Sequence, residues 1–388
     1  MPTPAVEAPL ELRTSRGGVE LGFVLTGGEL LLVARERSAV WPVEILRDGQ
    51  AEVRLPDGSV VGGATELLSD PASVRGVLDR FRSKYGDARF ARWYDHPARI
   101  VRVTLGTAPV GPSAGSYGRW IEAEFDSIAE EYDRHILGNE VNRLLRDRSL
   151  ARLRSVFARP ASLLDVGCGS GMETLPMLRD GHQVTAVDVS QRMLDVVRRK
   201  AAAEGLGERL RCVHLRARDL ATLARSGEDP RFDGAYSTYG ALNCEPDLGP
   251  FARGLAGLLA PGAPFVAGVY NRWCLFEVAA YAVTGQPRRA MGRWRNPVRV
   301  GSSRFCVDVF AYSVPTFERR LFPFFVPVSV EGVPVTLPPS DLSPYLRKLG
   351  RRLEVWARWD RSLGGRWPWR YVGDHFLATF VRAPGAAV

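Results

Sequence analysis

The sequence predicts an α/β protein in which a small β-barrel domain precedes a parallel sheet covered by helices. In the first 105 residues, short β-branched runs are separated by glycine-rich turns, which is typical of antiparallel strands. From residue 119 onwards, apolar strand-like runs alternate with helical patterns, which indicates βαβ units on a parallel sheet. We therefore expect a small barrel domain over 1–107, a linker over 108–118, a parallel-sheet domain over 119–270 and C-terminal cap segments over 271–388.

The N-terminal domain contains four clear strand candidates and one clear helix. In the helix, Asp70 is a good N-cap, Pro71 suits the first helical position, and Gly86 closes the pattern. The strands are predicted at Leu30–Val33, Val40–Leu46, Ala51–Leu55 and Ile100–Leu105.

Composition places the chain among globular proteins and sets limits on its location. A hydrophobic content of 45% with 24% charged residues is ordinary for a folded domain, and no run of 18 apolar residues is present. The N-terminus lacks a basic start followed by an apolar core, so we expect no secretory signal. The cysteines are scattered singly and odd in number, which favours a reduced, cytoplasmic protein: Cys168, Cys212, Cys244, Cys274 and Cys306.

The net charge of +9 is weak support for nucleic-acid binding. Only three of the 52 basic residues are lysine, and this arginine skew, together with abundant glycine, alanine and proline, is what GC-rich coding produces. A basic footprint for nucleic acid should be clustered on one face rather than merely numerous.

A glycine-rich turn follows the first predicted parallel strand. Ala161–Val166 is an apolar run, Gly167–Gly171 follows it, and a helical segment begins at Met172. Glycines let the backbone turn sharply and approach a ligand, and we expect the backbone N–H groups of the turn to face that ligand. The second strand ends at Asp188, where the dinucleotide-binding fold places a residue that binds ribose hydroxyls. Ser190 then caps the next helix.

The motifs in this region resemble those of class I S-adenosylmethionine-dependent methyltransferases. The resemblance implies a Rossmann-like seven-stranded sheet, whereas a nicotinamide-binding domain would favour a further glycine at position 172, which is methionine. Five motifs occur in the family's order: F-D-S-I-A-E-E-Y-D (Phe125 to Asp133), L-L-D-V-G-C-G-S-G (Leu163 to Gly171), T-A-V-D-V-S (Thr185 to Ser190), F-D-G-A-Y-S-T-Y-G-A-L-N (Phe232 to Asn243) and L-L-A-P-G-A-P-F (Leu258 to Phe265).

The resemblance also implies roles for individual residues, with S-adenosylmethionine as the cofactor. Asp165 and the backbone of Gly167, Cys168 and Gly169 would hold the methionine end of the cofactor. Cys168 itself is expected to be a small buried filler and not a nucleophile.

The remaining cofactor contacts implied by the family lie on later motifs and on the lid helix. Asp188 would bind the ribose hydroxyls, Thr238 would lie beside the sulfonium, and Tyr132 would reach the cofactor from the lid helix. The chain departs from the family after strand three, where many relatives place an adenine-binding aspartate. Either backbone groups near Ala217 hold the adenine, or Asp219 substitutes; both alternatives stay open.

The sequence shows no conspicuous catalytic dyad, and methyl transfer does not require one. The reaction is an in-line displacement on an activated carbon, so a base is needed only when the acceptor has a high pKa. The candidate base is His375, with a structural histidine as the alternative. Because neighbours in a strand point to opposite faces, Asp374 is not expected to orient His375. Other candidates for the acceptor pocket are Tyr239, Tyr270, Asn243 and Glu277.

Two segments rich in arginine and tryptophan, 288–299 and 366–371, have two interpretations. They could bind an anionic or aromatic substrate through ionic and cation–π contacts. The interpretation we favour from the sequence is a solvated arginine surface with the tryptophans packed inward.

The first 105 residues resemble the split β-barrel family that binds flavin or deazaflavin. The resemblance depends on the strand–turn series, the helical segment from Asp70 to Gly86 and the closing strand. Arg35, Arg37 and Ser38 are the nearby candidates for binding a cofactor phosphate. The alternative is a barrel without cofactor that serves in dimerisation, giving a homodimer, or in shaping the substrate pocket.

The leading functional hypothesis is a cytoplasmic methyltransferase acting on a small-molecule acceptor in specialised metabolism. The second is a nucleic-acid methyltransferase, against which the chain shows no N-P-P-Y-type base-flipping motif. The third is a fusion of a redox barrel with a methyltransferase. A non-catalytic binder of the cofactor is the fourth.

Overall fold

The computed structural model describes residues 9–14, 17–34, 39, 41–93, 99–106, 114–224, 231–294, 297–302, 305–340, 342 and 352–384. The chain divides into two compact units, residues 1–127 with 301–306 and residues 128–300 with 307–388, and each is described by itself. The helices in the described ranges are all too short or too polar to cross a membrane.

The first unit contains an antiparallel, barrel-like sheet of seven strands in the order β2-β1-β5-β6-β7-β4-β3. Its strands are β1 (Leu10–Thr14), β2 (Gly17–Leu21), β3 (Phe23–Thr26), β4 (Glu29–Ala34), β5 (Gln50–Arg54), β6 (Val60–Leu68) and β7 (Arg99–Leu105). Its helices are α1 (Trp41–Asp48), α2 (Pro71–Tyr85), α3 (Asp87–Trp93) and α4 (Ala114–Ile128), of which the residues up to Ser127 belong to this unit. The predicted linker overlaps the start of α4 at residues 114–118, and residues 107–113 lie outside the described ranges.

Helix α2 has the ends that the sequence predicts. The Asp70 side chain accepts a hydrogen bond from the Ser73 amide at 2.8 Å, and Gly86 ends the helix with a positive φ of 80°. The helix packs Val77 and Phe81 against Leu31 and other buried residues of the sheet. The strand predictions at Leu30–Val33, Ala51–Leu55 and Ile100–Leu105 are also confirmed within a residue or two.

The strand predicted at Val40–Leu46 is wrong, because this segment is helix α1. Trp41 and Ile45 lie four residues apart, so a helix brings both to one face, and both are buried. Pro42 is accepted in the first turn of a helix, whereas inside a sheet it would remove a ladder hydrogen bond.

The second unit carries the mixed sheet and most of the helices. Its strands are β8 (Ser162–Val166), β9 (Gln183–Asp188), β10 (Leu210–His214), β11 (Gly234–Ser237), β12 (Pro264–Tyr270), β15 (Phe325–Val333) and β16 (His375–Arg382). Strands β13 (Val298–Ser302) and β14 (Phe305–Val309) are divided between the units, because their residues 301–302 and 305–306 belong to the first unit. The helices of the second unit are α5 (Tyr132–Leu137), α6 (Glu140–Val156), α7 (Thr174–Arg179), α8 (Gln191–Ala203), α9 (Ala221–Ala224), α10 (Gly249–Leu258), α11 (Leu275–Val283), α12 (Pro287–Ala290), α13 (Val314–Leu321) and α14 (Arg352–Gly364).

The main sheet has seven strands in the order β10-β9-β8-β11-β12-β16-β15, while β13 and β14 form a separate two-stranded sheet. Strands β8 to β12 are parallel, and β16 runs antiparallel to both β12 and β15. The predicted Rossmann-like seven-stranded sheet is therefore confirmed. The carboxyl ends of the parallel strands and the amino end of β16 lie at the same edge of this sheet.

The sheet of the second unit is buried on both faces, which explains its continuous apolar strand sequences. The neighbours Leu163 and Leu164 on β8 point into opposite cores. Leu164 packs with residues of α10 and α13, including Phe251 and Phe317. Leu163 packs with residues of α6 and α7, including Met177.

Candidate active site

The glycine-rich turn between β8 and α7 is tied to strand β9 by its own amides. The N–H groups of Gly167 and Cys168 donate to the Val187 carbonyl at 2.7 and 3.1 Å, and that of Gly169 donates to Asp188 Oδ2 at 2.8 Å. The expectation that these amides face a ligand is therefore wrong. With the amides used internally, the carbonyl oxygens are what this turn can offer, and carbonyls suit an ammonium group.

Asp188 occupies the last position of β9 and is held by backbone on both sides. Its Oδ2 accepts from Gly169 and its Oδ1 accepts from the Ser190 amide at 2.9 Å. Ser190 in turn caps helix α8 through the Met193 amide at 3.1 Å. The carboxylate is 7% exposed, so its position at the sheet edge is fixed before any ligand binds.

Asp165 is a buried carboxyl on β8 immediately before the glycine-rich turn. Its Oδ2 accepts a hydrogen bond from the Thr174 hydroxyl at 2.6 Å. Burial raises the pKa of Asp165 to about 8, a rise that the Thr174 hydrogen bond opposes and the nearby Glu173 carboxylate increases. Burial also raises the pKa of the Cys168 thiol, which agrees with a small buried filler and not a nucleophile.

The raised pKa of Asp165 should make the free energy of unfolding fall as pH increases. The carboxyl titrates near 3.8 when unfolded and near 8 when folded, so the folded protein holds an extra proton between these values. Linkage then gives a loss of about 1.4 kcal/mol per pH unit in that window, complete above about pH 8. The free energy of unfolding of Asp165→Asn, measured in urea without cofactor, should lack this slope. The stability of the variant relative to the wild type should therefore increase as pH rises from 5 to 8.

A suitable control for this prediction is Asp180→Asn. The Arg154 hydrogen bond lowers the pKa of Asp180, so the stability that Asp180 contributes changes with pH only in acid. The free energies of unfolding of Asp180→Asn and the wild type should therefore differ by a constant amount between pH 5 and 8. If the free energies of unfolding of the wild type and Asp165→Asn change with pH in parallel from pH 5 to 8, Asp165 ionises normally in the folded protein and the prediction is wrong.

Helix α5 places Tyr132 over the glycine-rich turn. A Cβ atom added to Gly169 would lie 3.8 Å from Tyr132 Cε1, so the ring rests on the glycine backbone. The next residue, Asp133, accepts hydrogen bonds from the Ser170 hydroxyl and from Lys200 Nζ. These bonds fasten α5 to the turn and to α8. The predicted lid helix, residues 125–133, is therefore not one helix, because α4 ends at Ile128 and α5 begins at Tyr132.

The other predicted cofactor contacts lie at the same sheet edge, after β10 and β11. Thr238 directly follows β11 and is buried. Ala217 and Asp219 begin and end the short 3-10 helix Ala217–Asp219 after β10, and both are half-buried. The geometry does not choose between them as the adenine contact.

Aromatic rings surround the candidate base His375 at the same edge of the sheet, beyond β12. We call this part of the edge the acceptor side, because the candidates for the acceptor pocket lie there. Tyr270 ends β12 and is the register partner of His375 on β16, with ring centroids 5.4 Å apart. Tyr239 follows β11 with a positive φ of 55°, and its ring stacks on His375 at 5.9 Å. The Tyr239 ring also contacts Arg146, whose guanidinium carbon lies 3.9 Å from the centre of the ring.

Asp374 does contact His375, contrary to the expectation from strand alternation. Its Oδ2 lies 3.1 Å from His375 Nδ1. The alternation rule does not apply because β16 begins at His375, which leaves Asp374 in the preceding bend. The pair is therefore oriented by local backbone rather than by strand pleat.

Two buried charged residues of the site, Arg146 and Arg293, were not predicted individually, although Arg293 lies in the arginine- and tryptophan-rich segment 288–299. Arg146 on α6 pairs with Glu173, which precedes α7, and both are largely buried. Arg293 lies 81 residues before Asp374 in the chain and makes a buried ion pair with it. Their spacing matches no motif, so only the fold shows them as partners.

Other acceptor-side candidates prove to be structural. The Asn243 side chain donates to the carbonyls of Tyr270 and Phe310 and accepts from the Tyr270 amide, and it is fully buried. Glu277 pairs with Arg293. Asn243 and Glu277 therefore hold neighbouring residues of the site in place and do not line the acceptor pocket.

The favoured interpretation of the arginine- and tryptophan-rich segments is right for some arginines and wrong for the rest. Arg288, Arg289 and Arg366 are exposed, as expected. Arg293, however, is 4% exposed because carboxylates surround it, whereas Trp294 is 44% and Trp367 is 75% exposed. The flavin-phosphate candidates Arg35, Arg37 and Ser38 lie outside the described residues, so flavin or deazaflavin binding stays a prediction that an absorbance spectrum can test.

Comparison with known proteins identifies the domain. Residues 163–262 match the family described as "Methyltransferase domain". The tRNA 5-carboxymethoxyuridine methyltransferase of Escherichia coli K12 is 32% identical over 108 residues, covering 26% of this chain and 40% of that protein. The malonyl-[acyl-carrier protein] O-methyltransferase of Pseudescherichia vulneris is 34% identical over 144 residues, covering 37% and 51%.

Two further proteins complete the comparison. The ubiquinone biosynthesis O-methyltransferase of Methylocella silvestris is 31% identical over 157 residues, covering 39% of this chain and 58% of that protein. A crystal structure of Burkholderia thailandensis 1,6-didemethyltoxoflavin-N1-methyltransferase covers 73% of this chain and 95% of its own at 20% identity, with a TM-score of 0.42.

The chain therefore contains a class I S-adenosylmethionine-dependent methyltransferase domain, as its motifs predict. It spans only about half the length of the first three relatives, between 40% and 58%. Their acceptors differ from one another, so the family does not define the acceptor here.

Proposed function

We propose that this protein is an S-adenosylmethionine-dependent methyltransferase acting on a small-molecule acceptor in specialised metabolism. The observation that carries the proposal is the arrangement at one sheet edge, where Asp165 and Asp188 flank the glycine-rich turn and His375 stands with Tyr239 and Tyr270 beyond β12. Cytoplasmic location and a homodimer stay predictions.

The residues on the cofactor side fit the chemistry of S-adenosylmethionine. The buried carboxyl of Asp165 and the loop carbonyls suit the cationic methionine end, and a cation would favour ionisation of Asp165. The fixed carboxylate of Asp188 is an acceptor suited to ribose hydroxyls. When bound, the sulfonium supplies an activated methyl group. Tyr132 covers the turn, which excludes water from the methionine end.

On the acceptor side, the chain supplies flat rings and one titratable nitrogen. Tyr239 and Tyr270 hold the imidazole of His375 between them and offer aromatic surface for a planar acceptor. His375 would remove the acceptor's proton when the acceptor is too weak an acid to ionise by itself.

A nucleic-acid methyltransferase is the second candidate, and the similarity to a tRNA methyltransferase over 108 residues favours it. It would require a surface that binds phosphates, and its retention on RNA should fall steeply with salt.

The proposed function is tested in two steps on the full chain. Calorimetric titration with S-adenosylhomocysteine should show one site per chain, and absence of binding would remove the enzyme assignment. Methyl-labelled S-adenosylmethionine is then incubated with the protein and a deproteinised small-molecule extract, total RNA or duplex DNA. Label in the low-mass extract fraction supports the proposal, whereas label in RNA or DNA overturns the small-molecule acceptor in favour of the second candidate.

A further inference from the structure

A buried charged cluster lies directly behind the acceptor side of the site. Arg293 belongs to the 3-10 helix Gly292–Trp294, and four groups surround its guanidinium. Nε donates to Glu277 Oε2 at 2.7 Å, and Nη2 donates to Asp374 Oδ1 at 2.5 Å. Nη1 donates to the carbonyls of Asn271 and Asp374 at 3.1 and 2.9 Å. Such a fully used guanidinium holds its partners in one geometry.

The same place has the residue types of a metal site, but the arginine occupies it. Ligand atoms of Cys274, Glu277 and Asp374 lie within 4.8 Å of one another. Burial raises the pKa of the Cys274 thiol to about 12, which disfavours the thiolate that a metal ligand requires. The guanidinium already bridges Glu277 and Asp374, so the cluster is an arginine-centred ion network.

The network divides the two oxygens of Asp374 between two partners. Oδ1 accepts from Arg293, which leaves Oδ2 to face His375 Nδ1 at 3.1 Å. Burial alone would raise the pKa of Asp374, but the charge of Arg293, together with the hydrogen bonds from Arg293 and His375, outweighs burial and lowers the pKa below its usual range. Asp374 is therefore an ionised carboxylate, which can only accept a hydrogen bond.

An acceptor-only partner decides which nitrogen of His375 carries the proton. A neutral imidazole has one N–H group. Because Nδ1 faces a carboxylate that can only accept a hydrogen bond, the hydrogen must be on Nδ1. The lone pair is then on Nε2. No hydrogen bond to Nε2 is found within the described part of the chain, and 13% of the side chain is exposed.

The surrounding rings keep the imidazole in this orientation. Tyr239 stacks on it and Tyr270 meets it edge to face. Charged groups lie behind both rings, because Arg146 contacts the Tyr239 ring at 3.9 Å and Arg293 contacts the Tyr270 ring at 4.1 Å. Arg293 thus supports His375 twice, through Asp374 and through Tyr270.

We propose that Arg293 is a positioning residue that, by holding Asp374, keeps His375 in the tautomer with its proton on Nδ1 and its lone pair on Nε2. This inference deepens the proposed function and rests on it, because it assigns the methyl acceptor to a chemical class: molecules that present a weakly acidic hydroxyl group. Nε2 takes the hydroxyl proton while the oxygen bonds to the methyl carbon and the carbon–sulfur electron pair stays with sulfur. The products are a methyl ether, a neutral thioether and an imidazolium.

The tautomer can be observed directly, without knowledge of the acceptor. Two-dimensional NMR of the full chain labelled with ¹⁵N in histidine distinguishes protonated from unprotonated ring nitrogens, and the chain has only five histidines. His375→Gln assigns the signals by their loss. Spectra are recorded with S-adenosylhomocysteine present, at a pH where the imidazole signals no longer change.

In the wild type we expect the His375 signals of a protonated Nδ1 and an unprotonated Nε2. In Arg293→Gln the Nε2 signal should shift towards the protonated type, because Asp374 is no longer held. Asp374→Asn should give the same shift by a second route, since its amide can donate to Nδ1. The control Arg148→Lys alters another largely buried guanidinium–carboxylate pair, with Glu331, and should leave the His375 signals unchanged.

Two outcomes overturn the inference: a wild-type His375 protonated on Nε2, or signals that are identical in wild type and in folded Arg293→Gln and Asp374→Asn. Failure of the proposed function is seen separately, because titration of the same samples with S-adenosylhomocysteine would then show no binding while the tautomer is as expected.

Discussion

Replacing Asp188 with alanine should weaken the binding of S-adenosylhomocysteine by about 30- to 1,000-fold. A carboxylate that accepts from two ribose hydroxyls makes charge-assisted hydrogen bonds, and their loss costs about 2–4 kcal/mol. The effect has a second source, since Asp188 also holds the amides of Gly169 and Ser190. Without the carboxylate the glycine-rich turn loses its anchor on β9. Calorimetric titration of wild type and variant measures the difference.

Two further variants separate these sources. Asp188→Asn retains one hydrogen-bond acceptor oxygen and the shape of the side chain, so it should bind S-adenosylhomocysteine with intermediate affinity. Asp195→Ala removes an exposed aspartate on α8 that pairs only with groups on its own helix among the contacts described, Gln191 and Arg198. It should bind like the wild type. Equal affinity for wild type and Asp188→Ala would take Asp188 out of the cofactor site.

The cofactor side of the site could be predicted because its chemistry follows consecutive elements. Asp165, the glycine-rich turn and Asp188 lie within 24 residues on β8, the turn and β9, so a parallel sheet places them together whatever the rest of the chain does. What the sequence could not supply was the direction of the turn's amides. They bond to Val187 and Asp188, and that depends on the pairing of β8 with β9.

The acceptor side could be predicted only in part. His375 could be proposed because it is a titratable residue in the C-terminal region, where this fold binds the methyl acceptor, but the groups that hold it come from distant segments. Arg293 lies far from Asp374 in the chain, and its sequence surroundings contain other arginines, such as the exposed Arg288 and Arg289, that look the same in the sequence. Only tertiary packing distinguishes a buried, fully bonded arginine from a solvated one. The same limit explains helix α1, where the apolar residues fitted both a strand and a helix period.

Substituting Gly167 with alanine should destabilise the protein more than the same change at Gly205. Both glycines have a positive φ, +76° and +68°, so alanine is strained at either position by about 1–2 kcal/mol. At Gly205 nothing lies within 4 Å of the added Cβ, whereas at Gly167 it would lie 2.3 Å from the Ala241 Cβ. Overpacking adds about 1–3 kcal/mol, so we expect a total loss of about 2–5 kcal/mol for Gly167→Ala.

The extra loss at Gly167 can be assigned to one contact by a compensating change. Ala241 begins the 3-10 helix after β11, and Ala241→Gly removes the atom that the new methyl would meet. The double variant should therefore recover the overpacking part but not the strain, which leaves it close to Gly205→Ala after correction for Ala241→Gly alone. Chemical unfolding measures stability, and titration with S-adenosylhomocysteine should show affinity reduced in Gly167→Ala and unchanged in Gly205→Ala. If Gly167→Ala and Gly205→Ala unfold alike, the Ala241 helix moves aside freely, and close packing of the turn against it is not what shapes the site.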